Sequence, residues 1–275
     1  MYTRCMTDCI SGYISLGKEQ LHYTQRGSGD KLLLAFHGYG NDCSIFSGLC
    51  DALSQEYTCI SIDLPHHGKS NWNSGFLTEA QAANLVIEFK ARFNVDKVSL
   101  AGYSMGGRVC LKLVELLPDT IDKAILIASD GLRFNSFYYF LTRTTSGKSL
   151  FTSFLKNPKP YSYFIEMARK LKMVNTLRYN FAMRYIRAEE DRDFLLKVWP
   201  CMSLLIPDIN KLKQIIPQYH IQVSLFMGKH DTIIPVSLGE QFVQNIPSAT
   251  LTVLEKGHKV LDVDTIPVIA KSLLA

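Results

Sequence analysis

The chain has 275 residues, of which 47% are apolar and 20% charged, with a formal net charge of +5. That is enough chain and enough apolar surface for one large α/β domain, with or without an insertion, and it excludes a disordered chain. The mild charge excludes the strongly basic balance of a nucleic-acid binder, and the seven scattered cysteines include no Cys-x-x-Cys pair, so neither a zinc nor a redox site is expected.

The elements follow in chain order. Met1–Asp8 has no long apolar run, so no signal peptide is expected, and no window reaches the length of a membrane span. A soluble cytoplasmic protein is the default expectation. Ile10–Leu16 and Gln20–Arg26 alternate and are separated by a turn at Gly17, which predicts two antiparallel strands. Leu32–Phe36 is a continuous apolar run, as a strand buried on both faces requires, and it ends in the loop His37-Gly38-Tyr39-Gly40. A helix is expected over Ile45–Leu53 and a strand over Tyr57–Asp63, followed by Leu64-Pro65-His66-His67-Gly68-Lys69-Ser70. Thr78-Glu79-Ala80-Gln81 has the pattern of a capping box and opens a helix to about Phe93.

Next comes Gly102-Tyr103-Ser104-Met105-Gly106, between the strand Lys97–Ala101 and a helix that stops at Pro118. A serine at the tip of a strand–turn–helix junction is the G-x-S-x-G pattern of a nucleophile elbow. Another buried strand is expected over Ala124–Ala128. Alternating strands and helices imply right-handed crossovers and a mostly parallel sheet flanked by helices.

Residues 131–197 break the alternation. They hold 14 of the 30 aromatic residues and 13 Lys and Arg against 5 Asp and Glu, and no buried strand stands out. We read 131–210 as an inserted helical cap, and 1–130 with 211–275 as the core domain. The alternation resumes with a strand over Ile221–Met227, a helix over about Val236–Asn245, a strand over Leu251–Leu254 and a helix from about Thr265.

A serine hydroxyl needs a base to become a nucleophile, and the base needs an orienting acid. Both have candidates at strand ends: Asp231 in Gly228-Lys229-His230-Asp231, and His258 in Gly257-His258. Sites in open α/β sheets form outside the carboxyl ends of the strands, and the order Ser104, Asp231, His258 is the one that accompanies this elbow. Asp130, just past the strand ending at Ala128, is the alternative acid.

With these motifs assembled, the chain resembles the α/β-hydrolase superfamily, in its branch with a helical cap. The resemblance implies Ser104 as nucleophile, His258 as general base, Asp231 as orienting acid, and the backbone N–H groups of Tyr39 and Met105 as oxyanion hole. It implies no metal and no organic cofactor. His37 and His67 match positions that brace loops, and His66 stands where a glycine is usual. The run Gly102–Arg108 is similar to that of a menaquinone-pathway lyase of the superfamily, where the arginine helps hold an acidic substrate. Arg108, His37 and Tyr103 are therefore candidate substrate-binding residues, and the basic residues Arg133, Arg143, Arg169, Arg178, Arg184 and Arg187 suit an anionic substrate equally as well as a solvated surface.

The main expectation is a serine hydrolase that cleaves a carboxylic ester or related acyl compound through an acyl-enzyme. The alternatives are a C–C bond hydrolase or lyase acting on an acidic keto or enol substrate, and a hydrolase-like ligand-binding protein without turnover. The expected partner is a small molecule, with no nucleic acid and no membrane, and the chain is expected to be a monomer or homodimer.

Overall fold

The computed structural model describes residues 9–73, 75–171, 179, 183 and 188–274. Eight strands form one sheet in the order β1-β2-β4-β3-β5-β6-β7-β8. They are β1 (Ile10–Leu16), β2 (Glu19–Arg26), β3 (Lys31–Phe36), β4 (Tyr57–Ile62), β5 (Val98–Tyr103), β6 (Ile121–Ile127), β7 (Gln222–Gly228) and β8 (Ala249–Leu254). β1 pairs antiparallel with β2, and β2 antiparallel with β4. Every later pairing is parallel.

Side chains explain this division. β1 alternates between exposed and buried positions, as an edge strand with one solvated face does. β4 and β5 are buried at every position, which suits apolar runs covered on both faces by helices. Glu79–Phe93, Met105–Leu116 and Val236–Val243 are helices of the strand-to-strand crossovers, and Ile266–Leu274 follows the last strand. One core cluster joins Leu33 and Ala35 of β3, Ala101 of β5 and Ile125 of β6 to Ile269 and Leu273 of the last helix. The helix Glu79–Phe93 starts on a true capping box, in which Thr78 Oγ1 accepts from the Gln81 amide and Gln81 accepts from the Thr78 amide. It stops at Asn94, whose φ of 50° is left-handed. The segment read as one helix over Ile45–Leu53 is a 3₁₀ turn, Cys43–Phe46, followed by the short helix Ser47–Ala52. Asp42 caps that turn through its carboxylate.

The chain folds as two compact units. The first holds the sheet and comprises residues 1–73, 78–134 and 205–275; the second comprises 74–77 and 135–204. Within its described residues the second unit is helical, with helices Ser136–Arg143, Thr145–Lys156, Lys159–Lys170 and Glu189–Cys201. Tyr138 and Phe151 are buried in it, whereas Phe137, Tyr139, Phe140 and Tyr163 are exposed. Phe151 stacks on Trp199 with ring centroids 5.6 Å apart, and the Tyr138 hydroxyl donates to the Trp199 carbonyl.

Candidate functional site

Three side chains from the carboxyl ends of β5, β7 and β8 form one hydrogen-bonded chain. Ser104 begins it. Its φ of 51° and ψ of −114° are unfavourable for a residue with a Cβ and cost on the order of 1–3 kcal/mol. The strained turn is pinned on both sides: the Ser104 amide donates to the Ile127 carbonyl, and the Asp130 amide donates to the Ser104 carbonyl. Gly106 lets the elbow sit this close to the sheet, because a Cβ there would strike the Phe36 carbonyl at the end of β3. Ser104 therefore stands at the N-terminus of Met105–Leu116, where helix amides are available to an anion.

His258 lies in the loop after β8, with its Nε2 3.0 Å from Ser104 Oγ and its Nδ1 2.7 Å from Asp231 Oδ2. Asp231 follows β7 and is buried. Its other oxygen, Oδ1, accepts from the amides of Ile233 at 2.7 Å and Ile234 at 2.9 Å. Burial pushes this carboxyl up, but the bonds from His258 and from the two amides outweigh it and hold it below the ordinary range. An ionised Asp231 accepts a hydrogen bond from Nδ1–H and so keeps the proton on that nitrogen, which leaves Nε2 facing the serine with its lone pair. Gly228 brings the two loops together: a Cβ there would meet the Gly257 carbonyl.

The loop after β3 lies beside the serine. A Cβ at Gly38 would sit 3.1 Å from Ser104 Cβ, so Tyr39 follows directly upon the contact with the nucleophile candidate. Two histidines brace this loop through the backbone. His37 donates from Nδ1 to the Gly38 carbonyl at 2.7 Å and accepts the Leu64 amide at Nε2. His67 donates to the Pro65 carbonyl and accepts the Gly40 amide at 3.2 Å. Burial lowers the pKa of both, that of His67 to about 4. Both ring nitrogens of His37 are thus engaged by the backbone, and bracing rather than substrate contact is what its geometry provides. His66 adopts a φ of 64°, which explains why glycine suits that position.

Tyr103 is buried, and its hydroxyl donates to the His258 carbonyl at 3.2 Å, with its ring 5.6 Å from the imidazole. It positions the histidine loop, a role the sequence pattern did not signal. Arg108 is 7% exposed and its Nη1 lies 3.3 Å from Asp130 Oδ2. Asp130 Oδ1 accepts the Gly131 amide at 2.7 Å. The alternative acid and the candidate substrate arginine are therefore partners of each other, and the carboxylate on His258 is that of Asp231. Of the basic residues in the insertion, Arg169 pairs with Glu166 at 2.9 Å, while Arg178, Arg184 and Arg187 lie outside the described residues.

Among the described residues, one group of candidate metal-ligating atoms lies within 4.8 Å of one another: His22, Cys43 and Asp63. His22 and Asp63 are bonded to each other at 2.8 Å. Burial, together with Asp63, pushes the Cys43 thiol up to about 12, so it keeps its proton. These groups form a hydrogen-bond network built on Asp63, which also accepts the Cys43 and Lys69 amides. No helix among the described residues is long and apolar enough to cross a membrane.

This sheet order, with a strained serine after β5, an acid after β7 and a histidine after β8, defines an α/β hydrolase, and the chain belongs to that family: the model described as alpha/beta hydrolase fold matches residues 31–265. Among curated relatives, a protein of Haemophilus influenzae named as an esterase/lipase is 26% identical over 257 residues, covering 89% of this chain and 82% of that protein. The dihydrolipoyllysine-residue acetyltransferase component of an acetoin cleaving system from Cupriavidus necator is 30% identical over 112 residues, covering 41% of this chain and only 30% of that protein. Among solved structures, 2-hydroxy-6-oxo-6-phenylhexa-2,4-dienoate hydrolase from Rhodococcus sp. strain RHA1 has a TM-score of 0.65 at 19% identity, covering 98% of this chain and all of that one.

Proposed function

We propose that the protein is a serine hydrolase of carboxylic esters or related acyl compounds, with Ser104, His258 and Asp231 as its catalytic triad. The observation that carries the reading is the chain of bonds from Ser104 Oγ through His258, 3.0 and 2.7 Å long, to a buried acid. Ser104 Oγ attacks the acyl carbon as His258 Nε2 takes its proton, and the imidazolium is stabilised by Asp231. The amides of Tyr39 and Met105 receive the oxyanion, each worth on the order of 3 kcal/mol to the transition state. His258 returns the proton to the leaving alkoxide, and then activates a water that frees the acyl group. Side chains and backbone amides suffice for every step. The relative named as an esterase/lipase supports the ester class.

The C–C hydrolase or lyase alternative leaned on Arg108 as an anion holder, and its ion pair with Asp130 weakens that support. The serine aligned on a base favours turnover over binding alone.

Turnover of short p-nitrophenyl esters tests the reading, with peptide mapping of the acyl-enzyme to Ser104. We expect hydrolysis by the wild type, and a loss on the order of 10⁶-fold in kcat for Ser104→Ala. A wild type that turns over keto or enol acids but no ester, or a Ser104→Ala protein with full esterase activity, overturns it.

A further inference from the structure

A second serine–histidine–aspartate chain is built into the β1 edge of the sheet, apart from the elbow. The register sets Tyr13 of β1 opposite His22 of β2. Ser11 is two residues from Tyr13, so its side chain shares the face of the sheet that carries His22. Ser11 Oγ lies 2.7 Å from His22 Nε2, and His22 Nδ1 lies 2.8 Å from Asp63 Oδ2. His22 and Asp63 are almost wholly buried, whereas Ser11 is exposed. The edge of the Tyr13 ring closes over the imidazole at 5.3 Å.

The polarity of this chain follows from Asp63. Burial would push its carboxyl up, but the Lys69 and Cys43 amides, with His22, outweigh burial and keep it ionised. A carboxylate only accepts, so His22 Nδ1 carries the proton and Nε2 presents its lone pair to the Ser11 hydroxyl. His37 and His67 spend that same lone pair on backbone amides. At His22 it falls instead on a hydroxyl open to solvent.

We propose that Ser11 is a second base-assisted nucleophile, which takes up an acyl or phosphonyl group from activated electrophiles independently of Ser104. With a fluorophosphonate, the Oγ–P bond forms as the P–F bond breaks. The hydroxyl proton passes to His22 Nε2, and fluoride leaves. The imidazolium so formed lies against the Asp63 carboxylate, which offsets the cost of charging a buried ring. Ser11 sits within a strand and not at a helix N-terminus, so it lacks the helix amides available at Ser104. Ser11 has no counterpart of the Tyr39 amide either, so labelling there is slower than at Ser104, on the order of 10⁴-fold, as expected for loss of two oxyanion donors.

The test is fluorophosphonate treatment of the full chain, followed by intact mass and peptide mapping. Wild type takes one adduct rapidly at Ser104 and a second slowly at Ser11. Ser104→Ala keeps only the slow adduct, and Ser104→Ala with Ser11→Ala takes none. Ser11→Ala alone keeps the fast adduct and its esterase activity. Ser104→Ala with His22→Gln loses the slow adduct, and rapid Ser104 labelling of the His22→Gln single variant verifies that the fold survives. The proposal is overturned if Ser104→Ala gains no adduct, if the adduct maps away from Ser11, or if a folded His22→Gln protein labels Ser11 at the unchanged rate. Should His22→Gln not fold, the Ser11→Ala pair alone decides the matter.

Discussion

At the scale of single residues, two aspartates stand at neighbouring strand ends, and geometry gives them different work. Asp231 is buried, bonded to His258 and supplied with two backbone donors. Asp130 is half-exposed and bonded to Gly131 and Arg108. Asparagine at 231 would offer Nδ1 an amide in place of a carboxylate and allow the wrong imidazole tautomer. We therefore expect Asp231→Asn to lower kcat on the order of 10⁴-fold. Asp130→Asn should leave kcat within about threefold, because the pair it weakens is partly solvated. Steady-state ester hydrolysis by the two variants checks this, and the reverse pattern would move the acid to Asp130. The same pair shows what the sequence could convey. Both aspartates follow buried strands, so strand-end position alone left two candidates. Choosing between them required knowing that Arg108, one turn into the elbow helix, reaches back to Asp130.

At the scale of elements, the strands were legible because buried parallel strands read as apolar runs, and β3 to β7 lie where those runs fall. The capping box at Thr78 was equally legible, since its signal is local. What depended on contacts between distant segments was not. Tyr103 looked like a residue facing substrate, yet its hydroxyl holds a carbonyl 155 positions away. Nor does any pattern along the chain announce that Ser11, His22 and Asp63 converge, because β1–β2 register and the β4 terminus have to meet first. Gly228 is the element-scale counterpart of the elbow glycines. A methyl there would collide with the Gly257 carbonyl and part the loops after β7 and β8. Gly228→Ala should thus lower ester turnover on the order of 10²-fold, the cost of roughly 1 Å of misplacement, while far-ultraviolet circular dichroism stays that of the wild type. Undiminished turnover in the variant would show that the loops yield without disturbing His258 and Asp231.

At the scale of the whole molecule, the histidines under the β3 loop tie global stability to pH. His67 and His37 each accept a backbone amide at Nε2, so protonation would set one N–H against another. Folding therefore favours the neutral rings, and burial adds to this, taking His67 from 6.5 to about 4 and lowering His37 in the same direction. For a histidine with a lowered folded pKa, the unfolded chain binds the extra proton, so stability is whole above the unfolded value and falls as pH drops below it. The loss from His67 is about 2 kcal/mol at pH 5 and approaches on the order of 3 kcal/mol below pH 4. Asp63 and Asp231, whose carboxyls are held below the ordinary range, lose their contribution only as pH falls below about 3.8, so the interval between pH 7.5 and pH 5 isolates the histidines. Urea unfolding should show a midpoint that falls across this interval without a change in slope on denaturant. His67→Gln should be less stable at pH 7.5 and show a smaller fall. Equal midpoints for the wild type at the two pH values would mean that the loop accommodates a charged His67, and that Gly40 is not held by the lone pair of that ring.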